Sequence, residues 1–408
     1  MRRVSTEQVA GLLRNSNASH PDGMPSPWIP DSHPRGASSE LTPPPRPDAT
    51  IGVDGGIRLT SPDDVVASLG YLLGFQPEHS AVALWLVEGH VRLIQRVDLP
   101  SQPGADAPGF HAAIRQGLIR AQATACVLSI VSARGDEHDV PWSELVSTIM
   151  QDVQHQDCEI RDALLVEYGE SGEHRWWSYL CDQSCCPREG RVVPAEVLTA
   201  IAACFAWQGV VMRPSRADVC AELAASPQEQ AAISAALASD PQLAAGPTES
   251  RQSEREQWRD QSIAHLRSLL ALDGGQPQVP ISIPERARAI HALADVRVRD
   301  TVLWHLVRAA DARPALGVLA MLLRGAPANH QAPVATCAGI AAWLCGDGVR
   351  ASTAVDRALA DQPEYGLALL LRQALDAGMS GQHWREAMSG LTEAECRCPV
   401  ANAPAPGL

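Results

Sequence analysis

Cysteines, tryptophans and charged residues crowd one short stretch, RWWSYLCDQSCCPREG, residues 175–190. The sulfur and nitrogen ligands that it offers are of the kind that hold Zn²⁺ tetrahedrally. The candidate ligands are His174, Cys181, Cys185, Cys186 and, further along the chain, Cys204. Zinc knuckles usually pair their thiolates as Cys-x-x-Cys, however, and two adjacent cysteines seldom point at one ion.

Two other interpretations of this stretch remain open beside the zinc site. One is a redox-active thiol, because exposed cysteines of lowered pKa react readily. The other is a packed seam between a sheet and a helical region. There Trp176 and Trp177, which alternate on a strand, would send one ring inward and the other outward or against the helices. Small cysteines and a turn at Pro187 and Gly190 would allow close packing, and we favour the seam.

A second cluster, SARGDEHDV, directly follows the apolar run ACVLSIVSA. In α/β sheets, ligands collect beyond the carboxyl ends of the strands. Arg134 could bind an anion, Asp136 could bind a cation or act as an acid or base, and His138 could transfer a proton. The alternative is a solvated loop that caps the next helix through Asp139.

Arg96 and Asp98 share a face of the strand before the RVDLP turn, since strand side chains alternate. They could bind a polar ligand or form a structural ion pair. Asp98 would meet Asp136 only if their strands were parallel and adjacent. Nearby, Glu78-His79-Ser80 lines up an acid, a base and a hydroxyl, but no Gly-x-Ser-x-Gly elbow supports a serine nucleophile.

The composition excludes several chemistries. The chain of 408 residues contains no lysine, so Schiff bases, amine nucleophiles and the standard phosphate-loop lysine are ruled out. A formal charge of -14 argues against nucleic acid or anionic membranes as partners. We find no signal-peptide core and no run of about eighteen apolar residues, and therefore expect a cytoplasmic protein with reduced cysteines.

The elements that would position these residues alternate in type. Periodicity predicts a helix, two strands joined at Glu88-Gly89, a helix, a strand, a helix and two more strands. Ser61, Pro62 and Gly74 are typical start and stop residues of the first helix. This order indicates an α/β N-terminal domain with a mixed sheet.

After residue 194 only helices are predicted. Gly339, Ala351, Ala358 and Pro363 have the spacing of one tetratricopeptide-like helical hairpin, so we expect an all-α C-terminal region of hairpin repeats. The predicted divisions are a disordered segment 1–55, an α/β domain 56–193, a helical connector 194–275, a repeat-like domain 276–391 and a disordered tail 392–408.

Four segments in order carry a resemblance. They are YLLGFQPEHSAVAL, RVDLP, RWWSYLCDQSCCPREG and AAWLCGDGVRASTAVDRALADQPEYGLALLL. Together they resemble an actinobacterial family known as a domain of unknown function, number four-one-nine-two, over residues 56–391. The resemblance implies a bacterial cytoplasmic setting and no mechanism. Gly70 stands where the family pattern leads us to expect proline.

Three functional hypotheses follow. The first is an interaction or regulatory scaffold, with a groove on the C-terminal helices for a protein or peptide and an α/β ligand-sensing domain. The second is a hydrolase-type enzyme with its site near Asp98, Asp136 and His138. The third is a zinc-stabilised or thiol-sensing protein centred on Cys181, Cys185 and Cys186. Apart from that zinc ion we expect no cofactor.

Overall fold

The computed structural model describes residues 57–102, 108–134, 140–169, 172–181, 187, 189–239, 252–277 and 280–397. Within it the chain forms two compact units that divide between Arg216 and Ala217. None of the helices in these ranges has the length and apolar composition needed to cross a bilayer.

The first unit is a sheet with helices on both faces, as the alternating pattern predicts. Its elements in chain order are α1 (Pro62–Leu73), β1 (Ser80–Val87), β2 (His90–Asp98), α2 (Pro108–Ala121), β3 (Ala125–Val131), α3 (Ser143–Gln154), β4 (Glu159–Tyr168), β5 (His174–Ser178), β6 (Arg191–Val192) and α4 (Ala195–Trp207). The strand order is β2-β1-β3-β4-β5-β6, with β3 and β4 parallel and the other neighbours antiparallel. The mixed sheet is therefore confirmed.

Local signals place the first helix and hairpin as expected. Ser61 caps α1 through a capping box with Asp64, and Gly74 ends α1 in the left-handed conformation. Glu88 and Gly89 both have positive φ between β1 and β2, which matches the twist of a tight hairpin. Gly70 lies against Met212, whose Sδ would be 2.2 Å from an added Cβ. Glycine at this position thus permits a close approach of the Met212 side chain, which would have to shift for any larger residue.

Each face of the sheet has its own apolar core. One core packs α2 and α3 against residues such as Trp85 and Leu128. The other packs α1 and α4 against residues such as Val82 and Val131. Although the sequence assigns residues 194–216 to a connector, α4 completes the first unit, because Val197, Ile201 and Phe205 repeat every four residues and bury one side of the helix.

The second unit is all-helical. Its helices are α5 (Arg216–Ala221), α6 (Pro227–Ser239), α7 (Gln252–Leu269), α8 (Ile283–Leu293), α9 (Val296–Arg308), α10 (Arg313–Gly325), α11 (Gln331–Leu344), α12 (Gly348–Asp361), α13 (Gly366–Asp376), α14 (Gly381–Ser389) and α15 (Glu393–Arg397). Helix α11 is buried almost all round and contacts six other helices, α8, α9, α10, α12, α13 and α14. The unit therefore has one central helix with these six packed around it.

The helical hairpin that the small-residue spacing predicts is formed by α11 and α12. A Cβ on Gly339 would lie 3.4 Å from the carbonyl oxygen of Ala351 and 3.5 Å from the Cβ of Ala354. Ala358 is also buried on this side of α12, and Pro363 follows the end of the helix. The predicted disordered tail begins differently: Thr392 and Glu395 exchange capping hydrogen bonds, and this box starts the short helix α15.

Arginines fill the role of helix C-caps in this unit. Arg308 donates to the carbonyl oxygens of Met388 and Leu391 at the end of α14, and Arg385 on α14 donates to Val307 at the end of α9. The last carbonyls of a helix have no partner within the helix. The five N–H groups of a guanidinium satisfy several of them at once, which gives the lysine-free chain a structural use for arginine.

Candidate functional site

The carboxyl ends of β2, β3 and β4 meet at one edge of the sheet. Ser80 at the start of β1 pairs with Asp98 on one side and with Val131 on the other. Since β1 is antiparallel to both neighbours, β2 and β3 run parallel with β1 between them. Asp98 and the loop that carries Arg134 therefore lie at the same edge, two strands apart, where α/β folds usually bind ligands.

The side chains at this edge point to opposite faces. Arg96 and Asp98 lie on the α1 and α4 face, in the same rows as Val82 and Ser80. The Arg134 guanidinium lies 5.8 Å from the ring centroid of Trp177, on the α2 and α3 face. The structure thus does not bring the carboxylate of Asp98 to Arg134. Asp136 and His138 lie outside the described residues.

Ser80 and His79 are adjacent in sequence but differ in exposure. Ser80 is fully buried, whereas His79 is exposed, with its Nε2 3.1 Å from the Pro100 carbonyl oxygen and its ring 5.6 Å from that of Trp142. Both His79 and Trp142 have positive φ, an unusual backbone for bulky residues. No serine–histidine pair is formed by these described residues, so the geometry does not support a serine nucleophile here.

A polar cluster that is partly buried, the serine corner, lies on the α1 and α4 face of this edge. We define it as Ser80, Ser129, Arg96 and Asp98. The hydroxyls of Ser80 and Ser129 and the Nε of Arg96 are buried and have no hydrogen-bond partner among the described residues. Asp98 accepts from Arg96 Nη2 at 2.7 Å, and that carboxylate is 74% exposed. Sequence reasoning missed Ser129, although a serine inside the apolar run ACVLSIV was its signal.

The two tryptophans of the cysteine stretch pack within the first unit, on opposite faces of the sheet. Trp176 joins the α1 and α4 core, and its Nε1 donates to Asp63 Oδ1 at 2.6 Å. Trp177 joins the other core and lies against Gly190. The ring expected to face outward or against a separate helical region is buried as deeply as its neighbour, because the sheet has a helical layer on each side.

The proposed metal ligands are not gathered by the described structure. His174 begins β5 and Cys181 follows its far end, so an extended strand separates them. Cys181 is disulfide-bonded, Cys204 lies on α4, and Cys185 and Cys186 are outside the described residues. Within the described ranges, no three histidine, cysteine, aspartate or glutamate side chains lie together as metal ligands would.

Two of the cysteines in the first unit have thiols that are buried in its core. Cys126 and Cys158 lie in the α2 and α3 core, 3% and 2% exposed, and their thiols form a hydrogen bond. That hydrogen bond, with burial, holds the pKa of Cys126 well above its usual range. Reactive cysteines need the opposite environment, partly exposed and electropositive.

His174 is a titratable group at this edge whose pKa is shifted by burial. Its Nδ1 is buried without a partner in the described part of the chain, its ring lies 4.7 Å from that of Tyr168, and burial lowers its pKa. The unfolded chain therefore binds this proton more tightly than the folded one. Neutral His174 therefore makes its full contribution to the stability of the fold above about pH 6.5, the pKa of histidine in the unfolded chain. That contribution is lost as the pH falls below this value.

We therefore expect His174→Gln to flatten the loss of thermal stability between about pH 7 and pH 5, a range set by the histidine titration. The measurement is the melting temperature at each pH, followed by circular dichroism. His155→Gln, on an exposed turn after α3, controls for the loss of an imidazole. Equal pH slopes in wild type and His174→Gln would contradict the expectation.

The outer side of α4 is a second candidate surface. Trp207, at the end of α4, is 83% exposed, and Val211, shortly after it, is 61% exposed. The sequence of α4, AEVLTAIAACFAW, contains a single charged residue, Glu196. Its outward residues Ala203 and Ala206 are exposed as well, so this helix is apolar on both sides. We call Ala203, Ala206, Trp207 and Val211 the α4 face.

Comparison with known families gives a match over most of the chain. A family model described as a domain of unknown function, DUF4192, matches residues 62–382. No curated protein and no solved structure matches the chain. The match covers most of both units, including β1 to β5, α4 and the α11–α12 hairpin.

Proposed function

The chain belongs to the DUF4192 family, and we propose that it is an interaction protein that docks a partner on the α4 face. The observation that carries the proposal is the 83% exposure of Trp207. A tryptophan left in water forgoes the burial of 150–250 Å² of mostly apolar surface, roughly. Exposed aromatic side chains surrounded by small apolar residues are typical of protein-binding surfaces.

The chemistry of the α4 face favours an apolar helix as the partner. Ala203 and Ala206 are small enough to let a second helix approach closely, and Trp207 would act as the anchor that fills a pocket on that helix. Because no charged side chain belongs to the face, recognition would depend on shape and buried area. The chain carries a net negative charge, so its charged surfaces repel anionic partners. Association on the uncharged α4 face avoids this electrostatic repulsion.

The exposed residues of the helical unit favour it less as the docking surface. Among the described residues of this unit, three large apolar side chains are exposed, those of Val296, Leu369 and Leu391. They belong to α9, to α13 and to the link before α15, and each stands apart in sequence. The groove expected on the C-terminal helices therefore has weaker support than the α4 face.

We further propose a cytoplasmic setting. Seven described cysteines belong to no disulfide, the state that a reducing compartment maintains. Cys181, which is disulfide-bonded, is the exception among the described cysteines.

Site-specific photocrosslinking tests the docking proposal. A benzophenone amino acid would replace Trp207 in the full chain, expressed in the cells that naturally make it, and Gln116 on the opposite face of the sheet would be replaced in a matched control. We expect a discrete adduct from position 207 that position 116 does not give. The partner would then be purified and its affinity measured for wild type and Trp207→Gln.

Loss of a central aromatic anchor costs about 2 kcal/mol or more, so Trp207→Gln should weaken binding at least about tenfold. The variant should keep the wild-type melting temperature, because the removed side chain is exposed. Equal affinities for wild type and Trp207→Gln, or no adduct specific to position 207, would contradict the proposal.

A further inference from the structure

The serine corner contains three buried polar atoms that need a partner. Native proteins satisfy nearly all such groups, and an exception points to a bound water, ion or ligand. Two of these atoms belong to fully buried side chains, Ser80 and Ser129, and the third is the Nε of Arg96, whose side chain is 18% exposed. The three atoms belong to three neighbouring strands rather than to one local turn.

The sheet register places these side chains side by side. Val82 pairs with Arg96 on β2 and with Ser129 on β3, while Ser80 pairs with Asp98 and Val131 in the next row. Directly paired residues share a face, so Ser80 lies diagonal to both Arg96 and Ser129, about 7–8 Å away between Cα atoms. Side chains of these lengths can converge on one small group between them.

Arg96 is held in position for such a group. Its Nη2 donates to the Glu78 carbonyl oxygen at 3.3 Å and to Asp98, and its guanidinium lies 5.8 Å from the ring centroid of the buried Phe75. Stacking and these hydrogen bonds orient Nε, which stays without a protein partner within the described residues. The arrangement presents one guanidinium N–H and two hydroxyls.

We infer that the serine corner binds a small carboxylate. One carboxylate oxygen would accept from Arg96 Nε, and the other would accept from the hydroxyls of Ser80 and Ser129. One guanidinium balances one negative charge, which favours a monocarboxylate over a phosphate dianion. Serine has a smaller side chain than the valines and leucines on the rest of this face, which favours a ligand of few atoms.

Asp98 is the internal competitor of that ligand. Its carboxylate already binds Arg96 Nη2 from a position that is 74% exposed, so it can leave for water at little cost. An incoming carboxylate would meet repulsion from Asp98. Removing the charge of Asp98 should therefore strengthen binding, whereas removing a hydroxyl should weaken it.

The test is the melting temperature of the full chain in increasing acetate, with chloride at equal ionic strength as the reference. For wild type we expect a saturable rise with acetate beyond that with chloride, since a ligand of the native state stabilises it. Asp98→Asn should reach its midpoint at roughly tenfold lower acetate, and Ser129→Ala should respond equally to both salts. Ser239→Ala, an exposed serine on α6, should behave as wild type.

The melting temperature of Ser129→Ala without acetate distinguishes a carboxylate site from a site that holds a resident water. If the Ser129 hydroxyl lacks a partner, Ser129→Ala should melt higher than wild type without acetate. A lower melting temperature would show that a resident water satisfies the hydroxyl and would overturn the inference. Equal responses of wild type to acetate and chloride, or weaker acetate binding by Asp98→Asn, would overturn it too.

Discussion

Gly190→Ala is expected to lower the free energy of unfolding of the first unit by about 2–4 kcal/mol, the sum of backbone strain and overpacking. Gly190 has a φ of 79°, and an added Cβ would lie 2.5 Å from Cε2 and 2.6 Å from Cζ2 of Trp177. That indole is 5% exposed and packs in the α2 and α3 core. It has little room to move away.

Gly172→Ala is the matched control for the backbone contribution. Gly172 has nearly the same φ, 80°, but nothing lies within 4 Å of its added Cβ. Gly172→Ala should therefore lower the free energy of unfolding by only about 1 kcal/mol. Urea unfolding followed by far-UV circular dichroism gives both values. If both variants lost the same free energy of unfolding, the contact between the added methyl group at position 190 and Trp177 would contribute nothing.

Arg357→Met is expected to destabilise the helical unit by about 2–4 kcal/mol, because it leaves several polar groups without their donor. Arg357 on α12 donates to the carbonyl oxygen of Leu223, to that of Leu323 at 2.8 Å and to Gln331 Oε1 at 2.8 Å. Leu323 belongs to the last turn of α10, whose carbonyls lack partners within the helix. Methionine keeps much of the apolar length and removes all five donors.

Two variants separate this capping from a general effect of losing an arginine. Arg313→Met removes an exposed arginine that pairs with Asp311, and it should cost less than about 1 kcal/mol. Arg357→Lys should recover only part of the loss, because one ammonium group cannot reach three acceptors on separate segments. Thermal unfolding of the three variants measures this order. A fully stable Arg357→Lys would contradict the role of the planar guanidinium.

Elements with local signals could be predicted from the sequence. Ser61 and Gly74 bound α1 because capping depends on residues within one turn of the helix end. The hairpin at Glu88-Gly89 and the α11–α12 pair at Gly339 follow equally short-range rules. In contrast, α4 belongs to the first unit because the face that carries Val197 packs against a sheet formed by distant parts of the chain. The first unit therefore extends to Arg216, beyond the end predicted at residue 193.

The candidate sites depended on information that the sequence alone lacks. Asp98 and Arg134 share an edge of the sheet but point to opposite faces, a result of the strand order and register. His174 and Cys181 are seven residues apart in sequence, yet the extended β5 holds them at its two ends. Residue types showed what chemistry each side chain could perform, and strand pairing decided which side chains meet.

By itself, the sequence determined the order and type of the elements, the mixed α/β and all-α character of the two halves and the absence of lysine chemistry. Periodicity, capping and composition are local properties, and each can be read without knowing the neighbours in space. Only the tertiary structure decided that Ser80, Ser129 and Arg96 form one buried cluster and that Trp207 stays in water. Those outcomes depend on which strands pair and which helix faces are covered, and these are interactions between residues far apart in the chain.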